Sequence, residues 1–414
     1  MFTTARSVFP LTLCLLCFGN IAVADEFHYN NLLIGDRASG MGGAYTAISD
    51  DATGMYYNPA AIVYVGDKNV SASVNAYFSQ SKKYENVIGN QPFERTSSAL
   101  LANYFGIVKP FGGLKVGFSY AVPDAVSEDQ NQTFNNVAAN TSRYTVNLNN
   151  RDVTYNFGPS FATEINRDTA VGLTLYAHQR DVQVSSNYYV ERISGGNQWS
   201  NQYFRLNETG VRPVLGVSWA PAEKISLGLA LSRTFVLSSN ATNQITCWDS
   251  SAGGCVAGST IPSIKAPTIT TYSLKREYPT RLALGIGYFA DRNLIISSDL
   301  TYHTAVTDPI YGNKVATINA AVGTEYYLSR QWAVRAGLFT NMANTENIQA
   351  GKTNIEEQIN LYGGSVSVSN FSGSASVTLG GSVSYGKGKS QITGDTSVQD
   401  ASTLGWLLFL SSSY

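Results

Sequence analysis

Apolar residues alternate with small or polar ones through most of the chain beyond residue 70. In TRLALGIGYF (280–289), Leu282, Leu284, Ile286 and Tyr288 share one face, while Arg281, Ala283, Gly285 and Gly287 share the other. RNLIISSDLTYH sets Leu294, Ile296, Leu300 and Tyr302 against Ser297, Asp299, Thr301 and His303. DTAVGLTLYAH opposes Val171, Leu173 and Leu175 to Gly172, Thr174 and Tyr176, and SASVTLGGSVSY repeats the pattern with Val377, Leu379, Val383 and Tyr385. A period of two is a strand period. Strands of about ten residues with one apolar and one small-or-polar face suit a sheet that separates lipid from a lumen.

The breaks between these runs sort by length. Short turn signals fall at 110–113, 166–168, 221–224, 291–293, 329–331 and 369–373; longer polar segments, expected as loops, fall at 80–96, 123–150, 191–200, 240–268, 307–312, 343–358 and 387–401. A soluble sandwich would not divide its turns in this way. An even count, with short turns on one rim and long loops on the other, predicts an all-β chain: a transmembrane antiparallel β-barrel of about 14 strands, from near Val70 to Tyr414. In the closing LGWLLFLSSSY, Trp406, Leu408, Leu410 and Tyr414 share a phase. A terminal aromatic on an alternating strand is similar to the signal read by outer-membrane assembly machinery, an expected partner during biogenesis.

Composition agrees. Charged residues are 14% and aromatics 12%, with 25 tyrosines, so much of the surface is expected to face lipid, an outer-membrane lipid environment. Residues 1–24 read as a signal peptide: Arg6 precedes the apolar run from Val8 to Phe18, and Ala22-Val23-Ala24 is an A-x-A cleavage pattern. The run is shorter than the roughly 20 residues a spanning helix requires. Removing 1–24 takes away one cation, Arg6, so the formal charge goes from −1 to −1 − 1 = −2. This is no basic footprint, and nucleic acid is excluded as a partner. Cys247 and Cys255 are then the cysteines that remain, and in an exported chain they are expected to pair. No histidine lies near them, which argues against zinc, and no metal or other cofactor is expected.

The segment GDRASGMGGAYTAISDDATGMYYNPAAIVYV (35–65) fits neither strand nor helix cleanly. Its glycines do not make a nucleotide loop, because Tyr45 stands where a third small residue belongs and no Gly-Lys-Ser/Thr follows. A barrel of this size is wide enough that its lumen must be filled, plugged or left conducting. Residues 25–66 are therefore expected to fold inside as a hatch, with 67–414 forming the barrel. RASGMGGAYTAISDDATGMYYNPAAI, with Gly42, Gly43, Asp51 and the Asn58-Pro59-Ala60 element, resembles the N-terminal hatch of the long-chain fatty acid and aromatic hydrocarbon outer-membrane transporters (FadL type). REYPTRLALGIGYF, LIISSDLTYHTAV and WAVRAGLF resemble paired strands late in that family's barrel.

That resemblance implies passive uptake of hydrophobic small molecules across the outer membrane of a Gram-negative-type cell. It implies capture at the outer face, a tight pocket near the mature N-terminus, and sideways release where one strand kinks inward. It places Phe27 in the pocket and makes Gly117 a candidate kink. Arg180, Arg212, Arg281 and Arg335 fall on inward phases, as do Glu164, Asp299 and Glu325. Arg281 or Arg335 is expected at a substrate's polar end; the competing role is to pair with these acids or with Asp36, Asp50 and Asp51 and so hold the plug. No catalytic residues are expected, since His28, His178 and His303 lie in no hydrolase or metalloprotease motif. An alternative function is an outer-membrane interaction platform serving protein secretion.

Overall fold

The computed structural model describes residues 26–66, 69–138, 140–251, 255, 262–273, 275–308, 312–349, 351, 357–373, 375–392 and 396–414. The expected signal peptide lies outside the described residues. Among them the wall strands are β1 (Asn69–Ile88), β2 (Gln91–Phe111), β3 (Leu114–Ala138), β4 (Thr141–Asn166), β5 (Thr169–Arg192), β6 (Asn197–Ala222), β7 (Ile225–Ser232), β8 (Phe235–Asp249) and β9 (Ser263–Tyr272). They continue with β10 (Arg281–Phe289), β11 (Leu294–His303), β12 (Thr317–Tyr327), β13 (Trp332–Asn341), β14 (Glu357–Ile359), β15 (Leu361–Ser372), β16 (Ala375–Ser390) and β17 (Gln399–Ser413).

These segments make fourteen staves of one antiparallel sheet, because three staves are interrupted. β7 and β8 both pair with β6, β9 pairs with β8 while β10 pairs with β7, and β14 precedes β15 along the same stave. The last strand pairs with the first: Val70 and Tyr414 exchange backbone hydrogen bonds of 2.7 and 2.8 Å. Closure leaves no sheet edge in lipid, where an unpaired backbone group would cost several kcal/mol.

Side-chain alternation divides the wall as the pattern requires. Leu284, Ile286, Leu300, Leu338, Val366 and Leu379 are exposed outward, and exposed Tyr77, Tyr302, Tyr362 and Tyr385 lie toward the long-loop rim. Trp219, Tyr288, Tyr326 and Trp332 lie toward the short-turn rim. Such paired aromatic girdles mark the two membrane interfaces.

Several polar segments expected as loops are strands. Pairing continues to Ile88↔Gln91, Ala138↔Thr141 and Glu191↔Asn197, so 80–96, 123–150 and 191–200 are tall hairpins. Above the membrane an outward face meets water instead of lipid, so the apolar phase disappears while the backbone ladder persists. Cys247 and Cys255 are bonded at the top of β8, with Cα atoms 5.8 Å apart.

Residues 26–66 lie in the lumen with short helices α1 (Asp36–Gly40) and α2 (Gly54–Tyr57) and a 3-10 turn (Pro59–Tyr64). Ile34, Met41, Tyr45, Met55, Tyr57 and Ile62 form an apolar core with wall residues Tyr104 and Val108. The hatch backbone comes so close to the wall that glycines are required there. A Cβ on Gly337 would sit 2.1 Å from the Met41 carbonyl carbon, and one on Gly172 would sit 2.3 Å from that of Pro59. A Gly337→Val barrel should still assemble, as judged by heat-modifiable gel mobility, but with its hatch displaced. Its single-channel conductance in planar bilayers should rise at least severalfold; wild-type conductance would show that this contact does not seat the plug.

Candidate functional site

Asn58 explains the Asn-Pro-Ala element. Its Nδ2 donates to the Thr46 carbonyl at 2.9 Å and to Val217 of β6 at 3.0 Å, while Oδ1 accepts the Ala60 N–H at 3.2 Å. Pro59 follows, with no N–H to satisfy, at the first position of the turn. One amide thus joins two parts of the hatch to the wall. Asp51 accepts from Thr53 N at 2.8 Å and from the Tyr45 hydroxyl at 2.6 Å, closing the loop between the helices. Gly42 and Gly43 take φ of +67° and +85°, a left-handed turn that side chains rarely adopt.

The plug is fixed by charge between the hatch and the wall. The hatch supplies a cation to a wall acid: Arg37 Nη2 donates to Glu325 Oε2 at 2.7 Å, and Arg335 Nε donates to Oε1 at 2.6 Å. Asp50 pairs with Arg37, not with a lumen cation. Arg335 also donates to Ser369 at 2.5 Å, so it serves the plug network. On another part of the wall Asp299 Oδ2 accepts the backbone N–H groups of Tyr45 and Thr46 at 3.1 and 2.8 Å. Of the other inward-phase acids, Glu164 is exposed near the short-turn rim.

Above the plug is a cavity of about 210 Å³. Tyr56, Tyr57, Leu32 and Leu33 of the hatch line it together with Arg212, Arg281 and His303 of the wall. Tyr29 stacks on His303 with ring centroids 4.4 Å apart, and Arg212 lies over the Tyr56 ring at 4.8 Å. Arg212 and Arg281 make no ion pair or hydrogen bond among the described residues. Arg180, by contrast, is held by Asp152 at 2.7 Å and Glu26 at 2.9 Å.

Phe27 does not reach this cavity. Its ring is covered by the ammonium groups of Lys82 and Lys314, 5.5 and 5.3 Å from the centroid, and its carbonyl accepts from Asn344. Tyr29, Tyr56, Tyr57 and Tyr278 supply the aromatic lining instead. Gly117 pairs regularly with Val108 and Ser160, while β2–β3 pairing stops at Tyr104↔Ala121, with one further pair at Ser97↔Glu128. Between them Pro123 lacks a donor, and its carbonyl accepts Leu32 N from the hatch at 3.2 Å. Asp124 accepts from Asn31 at 3.1 Å. Six residues of each strand have no partner across this seam, a gap of roughly 20 Å along the strand, and Pro123 and Asp124 line the same cavity.

A closed antiparallel barrel with two aromatic girdles, a seated plug and a lumen cavity reaching a gap in the wall defines an outer-membrane channel protein. A family model described as outer membrane protein transport protein (OMPP1/FadL/TodX) matches residues 15–355, and the chain belongs to that family. Its function is accordingly passive uptake of hydrophobic compounds across the outer membrane. Among curated proteins none matches. Similar solved structures include a Pseudomonas aeruginosa FadL homologue (15% identity, 94% of this chain and 99% of that chain, TM-score 0.66). The Pseudomonas putida toluene transporter TodX (15%, 93% and 99%, 0.60) and the Ralstonia pickettii toluene transporter TbuX (15%, 92% and 98%, 0.55) share the fold.

Glu26 anchors the start of the hatch, accepting from Arg180 at 2.9 Å and Arg276 at 2.8 Å. Burial alone would raise its pKa, but Arg276, Arg180 and Lys314 hold it down at about 2, below the ordinary 4.5. A depressed carboxylate stabilises fully above its unfolded pKa and loses that contribution as pH falls through the folded one. Anchoring should therefore be constant from pH 7 to 5 and weaken between about 4.5 and 2. Hydrogen-exchange protection at 26–33, taken relative to the intrinsic exchange rate at each pH, should fall over that window in the wild type, and Glu26→Gln should remove the pH response; an unchanged response would assign it to another group.

Proposed function

We propose that the compounds taken up carry an anionic head group, received by Arg281 and Arg212, and leave sideways through the gap between β2 and β3. The observation that carries this reading is the pair of wall arginines that line the cavity and, among the described residues, make no ion pair. Charged groups in a lumen are normally paired, and here the missing anion would be the ligand's. A carboxylate on such an arginine contributes about 1.5–3 kcal/mol through charge-assisted hydrogen bonds. The tyrosines beside it would cover apolar surface at about 25 cal/mol per Å². A void of roughly 150 Å³ can hold benzene, so a cavity of about 210 Å³ suits one or two rings or a short alkyl chain. Uptake through the hatch-lined route ends at Pro123 and Asp124, where lateral release returns an apolar molecule to lipid and avoids water.

Fluorescence titration of detergent-purified protein with 2-naphthoate and with naphthalene separates the head group from the ring. Arg281→Met should weaken naphthoate about tenfold or more, which is 1.4 kcal/mol, and change naphthalene less than about threefold. Arg335→Met should instead loosen the plug and affect both. Equal loss of both ligands in Arg281→Met would make Arg281 a structural residue.

A further inference from the structure

The wall is interrupted a second time, between staves seven and eight. Pairing of β7 with β10 ends at Ser232↔Arg281, and pairing of β8 with β9 begins at Ala241↔Tyr272. Among the described residues, 233–240 and 275–280 have no ladder between them, about 25 Å of unpaired wall at the rise of a strand. Residues 275–280 turn away to other partners. Arg276 donates to Glu26 and the Tyr278 hydroxyl to Glu208 at 2.7 Å, while Glu277 N donates to Asp308. Across the slit Arg233 Nη2 and Glu277 Oε2 form an ion pair of 2.9 Å, with side chains 40% and 56% exposed. Among the described residues Arg233 Nε has no hydrogen-bond partner. Both lips, Ser232–Thr234 on one side and Arg276–Pro279 on the other, line the cavity that holds Arg281.

The height of the slit is set by the register. Its lower end lies one residue above Leu231, Leu282 and Tyr302, the last in the outer aromatic girdle. It therefore begins where acyl chains give way to head groups. A charged lip is stable there, and an exposed ion pair adds little net stability, so an incoming anion can replace Glu277 on Arg233 at small cost.

We infer that this slit is a second lateral port, through which an anionic amphiphile resident in the outer leaflet enters the cavity, with Arg233–Glu277 as its latch. The port rests on the cavity reading for its destination, but its test requires no ligand binding. Ser232→Cys places a thiol at the inner lip, and Cys247 and Cys255 are bonded to each other and unreactive. The probe is dodecanoic acid carrying a maleimide at its far end, added to the barrel in phosphatidylglycerol-containing vesicles. Labelling of Ser232→Cys should be at least tenfold faster than that of Ser160→Cys, a fully buried position under the hatch. Adding Glu277→Ala should raise the Ser232→Cys rate at least threefold. Thr234→Cys on the same lip repeats the measurement if Ser232→Cys does not assemble. Labelling no faster than at Ser160, or a rate unmoved by Glu277→Ala, would overturn the inference. Failure of naphthoate binding with fast, latch-dependent labelling would leave the port standing and remove the proposed head-group site.

Discussion

Glu325 is the group on which the rest of the interior depends. Fully buried on the inner wall, it receives Arg37 from the hatch and Arg335 from the neighbouring strand. Removing one member of such a buried set leaves uncompensated charge and costs about 3–5 kcal/mol. The hatch is thereby locked to β12 and β13, and Met41 is pressed onto Gly337. Asp299 performs the corresponding task on β11 for Tyr45 and Thr46, and Asn58 on β6. With the hatch held at these points, its tyrosines become the floor of a cavity instead of a mobile filling.

A closed sheet in lipid tolerates missing rungs where another part of the protein satisfies the freed backbone or where the break lies outside the hydrocarbon layer. Both conditions appear here. At the β2–β3 gap the hatch supplies Leu32 N to the Pro123 carbonyl and Asn31 to Asp124. Between staves seven and eight the interruption starts at the outer girdle, and the diverted segment bonds to Glu26, Glu208 and Asp308. The plug is thus a structural partner of the openings as well as a barrier.

The barrel was legible because lipid on one face and a packed lumen on the other impose a period of two that needs no tertiary information. The same rule failed at 123–150, where strands rise beyond the membrane and both faces are polar. Arg281 and Arg335 share an inward phase and are alike in sequence. Alternation encodes the face but not the neighbour across the sheet, so the pairing of Arg335 with Glu325, and the absence of an ion pair on Arg281 among the described residues, depend on the assembled wall. Glycines at 172 and 337 accommodate the hatch backbone, a close approach that alternation alone does not encode. Tyr56 and Tyr57 could have been noticed beside the Asn-Pro-Ala turn, since two adjacent tyrosines in a plug put at least one ring toward the lumen. Pro123 signals the break in β2–β3 pairing where Gly117 does not, because proline removes a rung whereas glycine keeps it.

Anomalous diffraction from crystals grown with 6-bromo-2-naphthoate tests the central claim most directly, since bromine locates the ring and the remaining density the carboxylate. The account predicts a bromine peak inside the lumen cavity, with the carboxylate within hydrogen-bond distance of Arg281 or Arg212. Bromine confined to the outer surface of the barrel, or a carboxylate in the cavity turned away from both arginines, would contradict it.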